Sequence, residues 1–460
     1  MLSIDWQLDP ADLAPELERL WRVAAPKIRQ LQHLSDALGG TPVFTVNGKY
    51  VSQGWTEWTQ GFQFGCALLQ YDATDDREFL ELGRERTLAH MPAHVSHHGV
   101  HDHGFNQVST YGNLRRLMLA GRFTYDENLL ALCELALRVS GAVQAHRWSR
   151  TADGDGYIYS FNGPHSLFCD TMRSLRILAL AHQLGHILWD ENDRRISLLE
   201  RLVQHARTTA KYNVYYGEGR DVYDVWGRVA HESLFNVNDG QYRCPSTQQG
   251  YSPFSTWTRG LSWVMLGYAE QLEFLATVTD EALEPLGERS KIEAMMRRAA
   301  QAACDFYISH SPPCGIPFWD TGAPGLAHLP DHLDRPADPA NEHEPVDSSA
   351  AAIGAQGLLR LGQYLMAHGD TDAGQRYGQA GLTVARTLLS PLYLSTDPDH
   401  QGLLLHVIYH RPRGWDHVPT AGRVPHGESA LWGDYHLLEL GVHLHRVASG
   451  GPSYTFFSAS

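Results

Sequence analysis

The sequence predicts an all-α (α/α)6 barrel, a ring of six inner helices inside six outer ones, and three observations carry that expectation. Helical periodicity recurs twelve times along the chain. Segments with a charged face and one apolar stripe alternate strictly with segments that hold few charges and many Gly, Ala and aromatic residues. No flexible linker interrupts the series, so we expect one domain over residues 1–460.

Taken in order, the twelve segments lie near 9–36, 56–72, 76–91, 105–120, 126–145, 164–184, 190–212, 255–276, 286–309, 347–368, 371–389 and 428–448. The odd-numbered ones read like DLAPELERLWRVAAPKIRQLQHL and LGERSKIEAMMRRAAQAACDFY, which suit a surface. The even-numbered ones read like STWTRGLSWVMLGYAEQL and SSAAAIGAQGLLRLGQYLM, which suit burial on all sides, their glycines permitting the close approach a crowded ring needs. Two stretches depart from helix. Residues 213–250 hold alternating runs around Asn238-Asp239-Gly240, the signature of a β-hairpin excursion. Residues 311–346 are rich in Pro, Asp and Gly and are expected to form an ordered rim loop or lid.

Composition excludes several function classes. The chain of 460 residues is 43% hydrophobic and contains 12 Trp and 42 Gly, so it folds into a large aromatic-rich core. Its net charge of −15 repels polyanions, which argues against nucleic acid as a partner. No apolar run is long enough for a membrane span and no secretory signal is visible. Six scattered cysteines without a C-x-x-C pair point to reduced thiols and a cytoplasmic location. The sequence leaves the oligomeric state open.

In such a barrel the inner helices run parallel and their N-termini meet at one mouth. The unusual polar and aromatic residues fall at those positions: Trp55 and Trp58; His101, Asp102 and His103; Asn162, His165 and Asp170, with Pro164 in a first-turn position; Trp257, Arg259 and Trp263; Asp347 and Ser348; Glu428, Trp432 and Asp434. Carboxylates and tryptophans brought to one rim describe a carbohydrate cleft, because aromatic faces stack on sugar rings and carboxylates do acid–base work on glycosidic bonds. Asp170 is the leading candidate for the acid. Its neighbours Leu167, Phe168, Cys169 and Met172 are apolar, so desolvation should raise its pKa. The bland alternative is an aspartate that caps the helix or pairs with Arg173 at i+3. Asp102, which stands before Gly104-Phe105, could equally be a plain helix cap.

The stretch SHHGVHDHGF (96–105) invites a metal reading, yet His97 and His98 are adjacent and neither His101 nor His103 has a partner at metal-ligand spacing. We expect a frame around Asp102, with no metal and no cofactor.

Several stretches together resemble the unsaturated glucuronyl hydrolases of glycoside hydrolase family 88, and more distantly the unsaturated rhamnogalacturonyl hydrolases of family 105. They are WTEWTQGF (55–62), HDHGF (101–105), SLFCDTMRSL (166–175), QQGYSPFSTWTRGLSW (248–263), PFWDTGAP (317–324), VDSSAAAIGAQGLL (346–359) and GESALWGDYHLLEL (427–440). The resemblance implies an (α/α)6 barrel, in agreement with the periodicity. It assigns the essential acid to Asp170 and a second aspartate to Asp102, and it gives His101, beside Asp102, together with His231, Gln249, Arg259, Trp263 and Trp58 to the substrate. In HVIYHRPRGW (406–415), Arg411 and Arg413 stand where some members carry serines and a lysine.

The implied substrate is an anionic oligosaccharide whose non-reducing uronate carries a C4=C5 double bond left by a polysaccharide lyase. The implied reaction is acid-catalysed hydration: protonation at C4, water addition at C5, and opening of the hemiketal with release of the aglycone. Three other readings share these features: an exo-glucuronidase on saturated uronides, a sugar 2-epimerase built on a histidine pair, and a non-catalytic carbohydrate-binding barrel.

Overall fold

Burial follows the charge pattern of the sequence. The computed structural model describes residues 1–53 and 57–457. The outer helices are Ala14–Leu38, Arg77–His90, Glu127–His146, Leu198–Tyr212, Arg289–His310 and Thr371–Leu388. They bury one stripe each, as in Leu198–Tyr212 through Leu199, Leu202, Val203 and Ala206. The inner positions are Gln60–Thr74, a rod broken by a π-helical turn (His103–Gln107, Val108–Gly112, Asn113–Leu119), a second broken rod (Thr171–Ser174, Arg176–Gln183), Thr258–Leu275, Ser348–Ala367 and Leu431–Ala448. Ser348–Leu361 is buried nearly all round. Each inner helix packs on the next, and the last returns to the first, so the (α/α)6 ring closes.

Glycine sets the spacing of the inner ring where backbones meet. Gly104 faces the Ser174 carbonyl of the neighbouring rod so closely that a Cβ would overlap it. Gly267 meets Met172 and Arg173 in the same way, and Gly357 meets Met265 and Leu266. Gly104→Ala should therefore cost about 1–3 kcal/mol in urea unfolding and lower activity as well, since Asp102 is two residues away. Wild-type stability in that variant would show that the two rods can separate freely.

Among the described residues the structure places four small sheets between the helices. The strands are β1 (Pro42–Val46), β2 (Lys49–Ser52), β3 (Trp148–Arg150), β4 (Gly156–Ile158), β5 (Ser166–Phe168), β6 (Ile187–Asp190), β7 (Arg194–Ser197), β8 (Glu232–Phe235) and β9 (Tyr242–Ser246). The excursion expected over 213–250 is present as the β8–β9 hairpin, and β5 joins its open side with Phe168 opposite Glu232. Two helix expectations need correction. The sixth segment does not begin at Pro164, because β5 occupies 166–168 and helix starts only at Thr171. The seventh does not begin at 190, because DENDRRIS turns a β6–β7 hairpin through Asn192 and Asp193, both at positive φ, before helix starts at Leu198.

The rim stretch 311–346 is ordered, with one 3-10 turn at Pro324–His328. Its Asp320 accepts the Tyr251 N–H at 2.9 Å, and Trp319 donates Nε1–H to Glu344 at 2.8 Å. At the other end of the ring the chain's Tyr454 is buried, with its hydroxyl 3.2 Å from Glu439. Among the described residues no helix is long and apolar enough to cross a membrane.

Candidate active site

Four inner helices deliver residues from their N-terminal ends into one cavity of about 350 Å³. Trp58 comes from the turn before Gln60, His101, Asp102 and Phe105 from the start of the 103–119 rod, the second inner position, and Asp170 from the start of the 171–183 rod, the third. Trp257, Arg259 and Trp263 come from Thr258–Leu275, and the segment Tyr409–Trp415 supplies a further wall. Trp58 stacks on Trp432 at 5.4 Å between ring centroids, and Trp263 packs against Phe105 at 4.9 Å. Trp55, expected at this mouth, lies outside the described residues.

Strand pairing fixes Asp170. β5 delivers it directly after Cys169, whose N–H donates to the His231 carbonyl at 2.9 Å. Asp102 and Asp170 each occupy a helix N-cap position, but neither side chain makes the capping hydrogen bond. Arg173 is not the partner of Asp170 either. Its guanidinium turns to Glu270 and to Glu439, the latter at 2.7 Å. Both carboxylates are thus left for the cavity.

His101 sits between them. Its Nε2 lies 3.8 Å from Asp102 Oδ1 and 3.9 Å from Asp170 Oδ1, and the residue is 2% exposed. Neither ring nitrogen has a hydrogen-bond partner among the described residues. The electrostatics correct the expectation for Asp170. Burial pushes its carboxyl up, but His101 and then His231 more than offset this and hold it below the ordinary carboxylate value. The upward shift falls on Asp102, where burial outweighs the pull of His101 and the Asp170 charge adds to it. Burial lowers the His101 pKa, yet Asp102 and Asp170 together carry it above the usual histidine value.

The other predicted residues divide into two groups. Gln249 and Arg259 line the cavity, but the Arg259 guanidinium is fully engaged. It pairs with Asp347 at 3.1 Å, donates to Gln249 Oε1 at 3.0 Å and to the Tyr409 carbonyl at 2.8 Å, and also reaches the Ile408 carbonyl. His231 stands behind the wall. Its Nδ1 accepts the Gln248 N–H at 3.0 Å, and its ring packs on Phe168 and Trp257. It shapes the loop that carries Gln248 and Gln249 and does not line the cavity.

Three acidic residues expected at the rim hold structure together. Asp347 caps its helix, Glu428 accepts the Gly48 N–H at 3.1 Å, and Asp434 accepts the Leu403 and Leu404 N–H groups and the Tyr50 hydroxyl. In the histidine-rich stretch His103 bonds to Ser140 and to the His97 carbonyl, and just before it His94 bonds to Gln60. Among the described residues no group of histidine, cysteine or acidic side chains has the geometry to hold a metal ion.

Sequence reasoning passed over Phe161, Gln248, Tyr409, His410 and Trp415, all of which line the cavity. The signal was present for the last three, in a Pro- and Gly-containing loop before an inner helix, the position from which the other loops reach the mouth.

Comparison with known proteins follows the same lines. The unsaturated glucuronyl hydrolase of Bacillus sp. (strain GL1) is 25% identical over 438 residues, covering 91% of this chain and 97% of that protein. The unsaturated glucuronyl hydrolase of Formosa agariphila is 25% identical over 386 residues, 83% of this chain and 78% of its own. Over most of its length the chain is thus similar to unsaturated glucuronyl hydrolases. No family model matches it. Among solved structures, an unsaturated glucuronyl hydrolase specific for heparin superposes with a TM-score of 0.69 at 21% identity, covering 95% of this chain and 97% of that one, which shows the same fold.

Proposed function

We propose that this protein is a glycoside hydrolase that removes the 4,5-unsaturated uronate from the non-reducing end of lyase-generated oligosaccharides by hydrating its double bond. The observation that carries this reading is the pair of buried carboxylates, Asp102 and Asp170, facing one aromatic-walled cavity with His101 between them. A cavity of about 350 Å³ is within the usual range for small-ligand sites.

In this reading Asp170 protonates C4 of the vinyl ether, and positive charge develops at C5 and the ring oxygen. The same carboxylate, ionised again, takes a proton from the water that adds to C5. The hemiketal then opens, and the aglycone departs with the original glycosidic oxygen. Asp102, whose carboxyl burial pushes above its ordinary value, orients the sugar. Trp58 and Trp263 offer ring faces to the sugar, while Gln249 holds a polar group of the substrate. Arg259 fixes Gln249 and the Tyr409 wall and so positions the groups that meet the substrate. His231 acts through the Gln248–Gln249 loop that it supports. No step calls for a cofactor. All six cysteines are free thiols, which supports a reducing, cytoplasmic setting.

The test uses a panel of lyase-generated disaccharides and their saturated analogues. The ultraviolet absorbance of the unsaturated sugar should disappear, with the saturated analogue at least about a hundredfold slower, because it has no carbon able to accept the acid's proton. In heavy water, deuterium should enter at C4. Equal cleavage of both sugars without label at C4 would replace hydration by ordinary exo-glucuronidase chemistry.

A further inference from the structure

The hydration reading leaves one question at the site. Its acid must begin the cycle protonated, yet the surroundings of Asp170 keep it ionised. No hydrogen bond among the described residues joins Asp102 to Asp170, and the group that touches both is His101, almost equidistant from the two Oδ1 atoms. We infer that His101 is the proton reservoir of the aspartate pair, giving a proton to Asp170 when substrate fills the cavity and recovering it when product leaves. This inference rests on the hydration reading of the same site.

The geometry supports the role in three ways. His101 is buried, neither ring nitrogen has a hydrogen-bond partner among the described residues, and Nε2 faces the two carboxylates. Asp170 Oδ1, the atom it faces, likewise has no hydrogen-bond partner. The ring is held by Phe168 at 5.6 Å and by Phe161 at 6.1 Å, which fix its plane without competing for the proton.

The remaining ionisable neighbours do not supply one. His231 and His205 are both lowered chiefly by burial, the latter to about 3, and are neutral at neutral pH. Arg147, at the end of the outer helix Glu127–His146, donates to the Tyr159, His98 and Ser160 carbonyls and contributes only a fixed positive charge. Charge therefore accumulates on His101 because Asp102 and Asp170 face it from two sides.

The cycle balances. The resting site holds an imidazolium and an ionised Asp170. Substrate brings a carboxylate and displaces water, which favours the neutral pair, so the Nε2–H bond breaks and an O–H bond forms on Asp170. That O–H bond breaks as the C4=C5 π pair forms C4–H. Water then bonds to C5 and its proton passes to Asp170. On product release this proton returns to Nε2. One water is consumed, and no proton is gained or lost. The contacts of 3.8 and 3.9 Å close by about 1 Å to reach hydrogen-bond distance.

The experiment is the pH dependence of kcat for His101→Asn and His101→Gln on an unsaturated disaccharide. Without the imidazole the proton must reside on the carboxylates, which lose it at lower pH. The basic limb should move down by about one pH unit or more. At pH 8 kcat should fall about tenfold or further, with the acid-side maximum kept within a few-fold and KM little altered. A basic limb that stays in place, or a rise in KM with an unchanged kcat profile, overturns the inference and leaves His101 as a substrate contact. The wild-type enzyme gives a second reading that needs no variant. The pKa of its basic limb should shift with temperature as an imidazole does, and a temperature-independent limb overturns the inference equally. If wild type leaves the double bond untouched, it is the hydration reading that fails.

Discussion

Asp170→Asn should abolish turnover, lowering kcat by about a thousandfold or more, which corresponds to about 4 kcal/mol of transition-state stabilisation. An amide is isosteric with the acid but cannot release a proton to carbon or take one from water. Asp102 faces the same cavity but reaches Asp170 only through His101. The fold should persist to within about 1–2 kcal/mol, since Asp170 makes no capping bond and pairs with neither Arg173 nor any other arginine.

Linkage adds a check on the same variant. The folded pKa of Asp170 lies below its unfolded value, so its contribution to stability is present above about pH 4 and is lost as pH falls toward the folded value. The stability gap between wild type and variant should thus be widest near neutrality and narrow in acid. Residual activity above a few per cent would move the acid to another residue.

The second large effect is on stability. Glu439→Gln should cost about 3–5 kcal/mol in chemical denaturation, because it removes one anion from a fully buried charge cluster. Glu439 Oε2 lies 2.7 Å from Arg173, its Oε1 3.5 Å from Arg176, and the Tyr435 and Tyr454 hydroxyls each stand 3.2 Å away. Burial opposes its charge, but Arg173 and Arg176 hold its carboxyl far below the ordinary range. Glu270 and Glu273 face the arginines from one inner helix, Arg360 from the next and Glu439 from the last, so the cluster ties four inner positions together. A loss of less than about 1 kcal/mol would mean that the two arginines find compensation elsewhere.

This cluster also marks the boundary of what the sequence made legible. Periodicity and the charge alternation identified all twelve helical positions, because each reports a local face. The i+3 spacing that offered Arg173 to Asp170 was local too, and it misled: the partners Glu270 and Glu439 arrive from distant helices. The pKa of Asp170 failed for the same reason. Its apolar neighbours in sequence announce desolvation, while His101 and His231, which decide the outcome, are brought in by the start of the 103–119 rod and by the β8 side of the sheet. The β6–β7 hairpin was read as helix because its charged residues continue the outer-helix pattern, and only the positive φ of Asn192 and Asp193 distinguishes it.

The wall formed by Tyr409 to Trp415 is closed on itself by one carboxylate. Asp416 accepts the backbone N–H groups of Tyr409 and His410, the latter at 3.0 Å, and burial raises its pKa to about 6. These anchors, like the Arg259 bonds to Ile408 and Tyr409, engage main chain, so they hold the loop whatever side chains it carries. Under the proposed function, an exchange of side chains in this loop would reshape one wall of the cavity while Asp102 and Asp170, carried at the starts of inner helices, keep their anchoring.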